Sequence, residues 1–239
     1  MATQLRLPHT RRPRRHAGGR PPRGPRSSER HETRPRLRPS EPVHVTIRVA
    51  PAVHSLRRRR AYAAIREALI TTFARESFRV VHVSIQRTHV HLLVEATDRL
   101  ALARGMQGFQ ISAARHLNAA AHRRGTVFPD RYHSQIIRTP RHARHALAYV
   151  LNNWRRHREH LAPFARAWRV DPFSTAVLFD GWRELAASPT LFRPPPTYDP
   201  LPVYRPKTWL LTEGWRRYRL ISHTETPAIS PASQPTSST

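Results

Sequence analysis

Val43, Val45, Ile47 and Val49 alternate with His44, Thr46 and Arg48, and this period of two predicts a half-buried strand that opens the ordered part of the chain. From about Arg58 to Arg75 the spacing lengthens. Ala61, Ile65, Ala68, Leu69, Thr72 and Phe73 recur every three or four residues, which predicts an amphipathic helix. The period of two returns in Phe78 to Gln86, with Val81, Val83 and Ile85 on one face. It continues in His89 to Ala96, with Val90, Leu92 and Val94 on one face and His89, His91, Leu93 and Glu95 on the other. The short Arg87-Thr88 link between these runs makes them a hairpin.

Asp98 then caps a long helix to about Arg123 that carries Leu102, Met106, Phe109, Ala113 and Leu117 inward, and Gly125 ends it. Ser134 to Arg138 is a short strand. Pro140 opens a last helix running to about His157 with Ala143, Leu147, Val150 and Leu151 inward. The order β-α-β-β-α-β-α predicts an α+β fold, a ferredoxin-like split β-α-β antiparallel sheet with one additional helix. That topology hosts many activities and implies none by itself.

Composition divides the chain. Residues 1–41 hold twelve arginines against three glutamates, with many prolines and almost no branched apolar side chains. Such a segment cannot bury enough apolar area to offset its ordering entropy, so it is expected to be a disordered basic arm. Residues 42–160 are expected to form the folded domain and 161–226 an extension of low regular structure. Four of the five tryptophans (Trp168, Trp182, Trp209 and Trp215) lie in that extension and are expected to anchor it. A Ser/Thr/Pro-rich tail, 227–239, is expected to be disordered.

Of 239 residues, 42 are Lys or Arg and 15 are Asp or Glu, a net charge of +27; Lys207 is the only lysine. The arm contributes +9, so the remainder is still +18. A surface this positive favours polyanions, nucleic acid foremost. No apolar run approaches the roughly 18 residues of a membrane-spanning helix, and there is no signal-peptide h-region, so no membrane association is expected and the cytoplasm, in company with the nucleoid, is the expected location. With no cysteine, disulfide scaffolds, thiolate nucleophiles and cysteine-held zinc are excluded, and any metal must be held by nitrogen and oxygen.

Two constellations could carry chemistry. His89-Val90-His91 puts two imidazoles on one strand face, where they could share a divalent ion; a pair of surface histidines on an open sheet face is the plainer alternative. Tyr149 and Asn153 project from one helix face about a turn apart, which suits a nucleophile beside an oxygen ligand, or simply a packed tyrosine and a solvated asparagine. Tyr62 and Tyr132 lack such a partner.

Taken in order, VSIQRTHVHLLVEA, GFQISAARHLNA, VFPDRYHSQIIR and ALAYVLNNWRRH resemble the REP-associated tyrosine transposases, a branch of the single-tyrosine HUH transposases with an IS200-like domain. The resemblance spans roughly Val43 to Arg158. It implies a divalent metal, Mg²⁺ or Mn²⁺, held by His89, His91 and Asn153, and Tyr149 as the nucleophile. It also implies single-stranded or hairpin DNA as the partner, cut and rejoined through a 5′-phosphotyrosine, and it leaves open whether the tyrosine acts within its protomer or across a homodimer. Thr88 stands where the family usually has asparagine, and Trp154 where it usually has proline. A non-cleaving DNA- or RNA-binding relative, and an arginine-rich component of RNA assemblies, are the rival readings.

Overall fold

The computed structural model describes residues 35–188 and 192–227. Most of the expected arm and nearly all of the expected tail lie outside the described residues. Four strands, β1 (Val43–Arg48), β2 (Phe78–Ile85), β3 (His89–Ala96) and β4 (His133–Ile136), form one sheet in the order β2-β3-β1-β4, and every neighbouring pair is antiparallel. Helices α1 (Arg59–Ile70) and α2 (Arg99–Ala120) make the two crossovers. This is the ferredoxin-like arrangement the hydrophobic pattern predicts.

The first core forms where α1 and α2 lie on the sheet. Val43, Val45 and Ile47 of β1 meet Val90, Leu92 and Val94 of β3 beneath Ile65, Leu69, Met106 and Phe109. Asp98 caps α2 as expected, its carboxylate accepting from the backbone N–H groups of Leu100 and Ala101 at 2.7 and 2.8 Å. Gly125 follows the helix with a φ of 102°, a left-handed conformation that glycine adopts without strain. The core also takes in Leu37, ahead of the expected start of order at Val43.

One face assignment changes. The β2–β3 register shifts between Val80 and His82, so one extra residue sits in β2. A bulge reverses which side later residues face. Val81 therefore joins the second core while Val83 and Ile85 stay in the first, rather than all three sharing a face.

The opposite sheet face is not open. Helix α3 (Pro140–Leu151), begun by Pro140 and capped by the Thr139 hydroxyl, lies on it. Val81, Leu93, Leu147, Val150, Phe179, Trp182, Trp215 and Ile221 close a second core there. Irregular structure past residue 160, mostly single 3₁₀ turns and the short helix α5 (Trp209–Thr212), completes this layer. It also protects the exposed edge of β2: the amide of Ile85 donates to Phe173 O at 2.8 Å and the amide of Tyr204 donates to Val80 O at 2.9 Å.

Two charged clamps fix the extension. Arg57 donates two hydrogen bonds to buried Asp171, at 3.0 and 2.8 Å, and stacks over Phe173. Glu95, on the same strand face as His91, accepts from the amides of Lys207 and Thr208 and from the Thr208 hydroxyl. Trp182 and Trp215 are buried anchors, but Trp209 is 47% exposed with Arg217 over its ring, so it does not serve as one.

Candidate functional site

The outer faces of β1 and β3 carry polar side chains next to one another. The ladder places Thr46 opposite His91 and Arg48 opposite His89, with His44 diagonal to His91. A cover of α3 and the extension over the sheet turns these positions inward, and His44 and His91 are 9% and 3% exposed. His89, nearer the hairpin link, is only partly buried. The plainer arrangement, two histidines on a solvated sheet face, is therefore not what the structure contains.

Burial sets the charge state of these rings. An imidazolium away from water is disfavoured, so each is held below its ordinary value of 6.5. His44 falls to about 3, through burial first and then through His133 and His142. His89 falls to about 4, through burial and then His157 and Arg48. His91 lies well below its ordinary value, through burial and then His44 and His89. All three are neutral near pH 7, and neutral imidazole is the form with a lone pair to offer.

Tyr149 comes to this face from α3. Its ring stands edge-on to His91, centroids 5.2 Å apart, and also meets His44 at 5.7 Å. Burial raises the phenol above its ordinary 10, and the guanidinium of Arg156, 5.8 Å over the ring, opposes that rise. Tyr62 and Tyr132 are elsewhere: Tyr62 donates to Asp199 O, and Tyr132 belongs to the first core.

The helix carrying Tyr149 does not run on to His157. It stops at Leu151, Asn152 takes φ −107° and ψ 14°, and a single turn, α4 (Asn153–Arg156), follows. The Asn152 side chain donates to Ser222 O at 2.8 Å, and Trp154 is buried at 1% exposure. Tertiary partners for these two residues outweigh continued helix, so Tyr149 and Asn153 lie on either side of a break rather than on one uninterrupted face.

Among the buried side-chain atoms without a hydrogen-bond partner are Nε2 of His91 and, on the segment after α3, both Oδ1 and Nδ2 of Asn153 together with Oδ1 of Asn152 and Nε1 of Trp154. A buried polar atom left unpaired is costly, and a water molecule or a bound ion can satisfy it. An imidazole nitrogen and an amide oxygen are donors that suit a divalent cation. The residues present thus fit such an ion. Among the described residues, no three side chains drawn from His, Cys, Asp and Glu come together to hold a metal.

Sequence reasoning did not single out His44. It was visible only as one polar position of an alternating strand, and nothing in that pattern separates it from Arg48. The further signal is register, because pairing β1 with β3 is what brings His44 to His91.

Residues 43–153 match the family model described as Transposase IS200 like. Among solved structures, the chain is similar to a REP-associated tyrosine transposase bound to a REP hairpin. The identity there is 17% and the TM-score 0.45, with 62% of this chain and 82% of that one covered. It is also similar to a protein of Deinococcus radiodurans R1 assigned as a transposase, at 15% identity and TM-score 0.34, with 47% and 87% covered. No curated protein matches the chain.

Proposed function

Residues 43–153 form a domain of the IS200-like transposase family, and from that premise we propose that the chain cuts and rejoins single-stranded DNA through Tyr149. The observation that carries the reading is the approach of the Tyr149 ring to His91 within one chain, at 5.2 Å between centroids. The proposed nucleophile and the proposed metal-binding imidazole then stand side by side.

His89, His91 and Asn153 would hold the divalent ion, Mg²⁺ or Mn²⁺, with His91 offering Nε2 and Asn153 offering Oδ1. Bound there, the ion would polarise the scissile phosphate and offset charge that develops in the transition state. Tyr149 supplies the oxygen. Its phenol loses a proton and forms a bond to phosphorus, the bond from phosphorus to the 3′ oxygen breaks, and that oxygen leaves as a 3′-OH after taking up a proton. The 5′-phosphotyrosyl link retains the energy of the broken phosphodiester, and attack by another 3′-OH reverses the step. A raised phenol pKa makes the unassisted tyrosine a poor nucleophile at neutral pH, so Arg156 helps by favouring the phenolate.

The partner we propose is single-stranded DNA presented by a hairpin. The +18 charge outside residues 1–41 supports this, since arginine contacts to phosphates supply affinity without reading sequence. Among the described residues no helix is long and apolar enough to cross a membrane.

The decisive experiment incubates the chain with single-stranded hairpin DNA and Mn²⁺ and looks for an adduct that survives denaturation. The wild type should form it. Tyr149→Phe removes only the phenolic oxygen and should bind DNA without forming it. A wild-type chain that binds the hairpin and never forms the adduct would favour the non-cleaving binder instead.

A further inference from the structure

His91 can offer Nε2 to an ion only if its ring proton sits on Nδ1. That proton then needs an acceptor, because Nδ1 is buried with the rest of the ring and has no water to turn to. Two atoms lie within reach. Nε2 of His44 is 3.1 Å away, and Oγ1 of Thr46, directly across the ladder, is also 3.1 Å away. The opposite nitrogen, Nε2, has no protein partner.

We propose that His44 is a positioning residue for the metal pair: it accepts the Nδ1 proton of His91 and so keeps the Nε2 lone pair of His91 free for the ion. This rests on the metal reading given above. The contact is built for constancy. Both residues stand on paired strands, so the register sets their separation, and a sheet holds such a pair more firmly than a loop would. Their ring centroids are 5.2 Å apart at 34°, and Tyr149 closes the third side by meeting both rings edge-on. A second partner that fixes tautomer and ring orientation is the usual companion of a metal-bound histidine.

Thr46 alone does not set the tautomer. A hydroxyl can donate to Nδ1 as readily as accept from it, and when it donates, the His91 proton moves to Nε2 and closes the lone pair. His44 presents a lone pair at Nε2 when its own proton sits on Nδ1, and that is the tautomer the proposal assigns to it. The two neighbours together then favour the open form, with His44 as the deciding one.

The test uses the full chain and two readouts. The first is Mn²⁺ affinity, followed by the electron spin resonance of free Mn²⁺, for the wild type, His44→Phe, His44→Gln, Thr46→Val and His91→Ala. His44→Phe keeps a ring and removes the acceptor, and it should weaken affinity by about 10- to 100-fold. His44→Gln restores an acceptor oxygen and should recover most of that loss. Thr46→Val should cost less than His44→Phe. The second readout is the His91 tautomer in metal-free protein, taken from long-range proton–nitrogen NMR, where the wild type should carry its proton on Nδ1 and His44→Phe should shift it toward Nε2.

A folded His44→Phe with wild-type Mn²⁺ affinity, or a glutamine variant as weak as the phenylalanine one, overturns the proposal. Wild-type His91 protonated on Nε2 does so as well. If the wild type itself binds no Mn²⁺, or His91→Ala binds it equally well, the metal reading falls, and the tautomer measurement, which needs no metal, still decides whether His44 governs His91.

Discussion

The ring of Tyr149 meets the ring of His91 at 89° within a single chain. α3 delivers the tyrosine to the sheet face that carries its own histidines, so the two groups come together without a second copy of the chain. Here Leu147, Val150 and Leu151 hold the helix in the second core.

Asn153→Ala should weaken DNA nicking while leaving hairpin binding within a few fold. Only a neutral ligand is lost, so raising the Mn²⁺ concentration should restore part of the rate, as expected when affinity for the ion is what has dropped. Nicking measured across a Mn²⁺ series checks this, and a rate that stays low at every concentration would give Asn153 some other role.

Acid should begin to loosen the fold below about pH 6.5, the ordinary value of histidine. Buried His82, with Nδ1 3.2 Å from Thr175 Oγ1, is lowered by burial from 6.5 to about 4. Between those values the unfolded chain binds more protons than the folded one, so stability falls as pH drops from 6.5 and the loss from this group is complete near 4. A displacement of that size is worth on the order of 3 kcal/mol. Urea unfolding at pH 7.5 and 4.5 should show the drop, and His82→Gln should make it smaller. An equal drop in the variant would remove His82 from the account.

Gly105→Ala and Gly108→Ala should differ in their effect on stability although both lie in α2. A Cβ at Gly105 would sit 2.1 Å from the ring of fully buried Phe78, whereas at Gly108 it would meet only the guanidinium of Arg75, at 3.4 Å. The first change should cost about 1–3 kcal/mol or more by overpacking. The second should be neutral or should gain up to about 1 kcal/mol of helix propensity. Thermal melts of the two variants, compared with the wild type, separate these outcomes.

Deleting residues 1–34 removes ten arginines. The slope of log affinity against log salt should shrink, while preference among hairpin sequences stays the same, because phosphate contacts carry charge and no sequence information. Binding titrations at several salt concentrations, run on two different hairpins, measure both. A changed preference at constant slope would mean that the segment reads bases.

Short-range pattern was enough to locate the four strands, the hairpin at Arg87-Thr88 and the cap at Asp98, because each depends on neighbours within a few residues. It also marked His89, His91, Tyr149 and Asn153, through their spacing. What it missed depends on distant residues. The break after Leu151 comes from Asn152 reaching Ser222, 70 positions away, and from the burial of Trp154. The bulge in β2 is a matter of pairing with β3, and the side of the sheet to which Val81 belongs follows from it. His44 gains its meaning only from the register of β1 against β3.

Strand β3 carries His91 and Glu95 on the same face, and Glu95 is where the segment at Lys207–Thr208 is tied down. Lifting that segment would take the amide and hydroxyl hydrogen bonds from a carboxylate that is 5% exposed and leave it Arg79, 3.8 Å away. The segment around Lys207–Thr208 is therefore not a detachable module. Exchanging or removing it would reach the face that carries His91 through a single shared strand. Heredity has to pass on the two parts together.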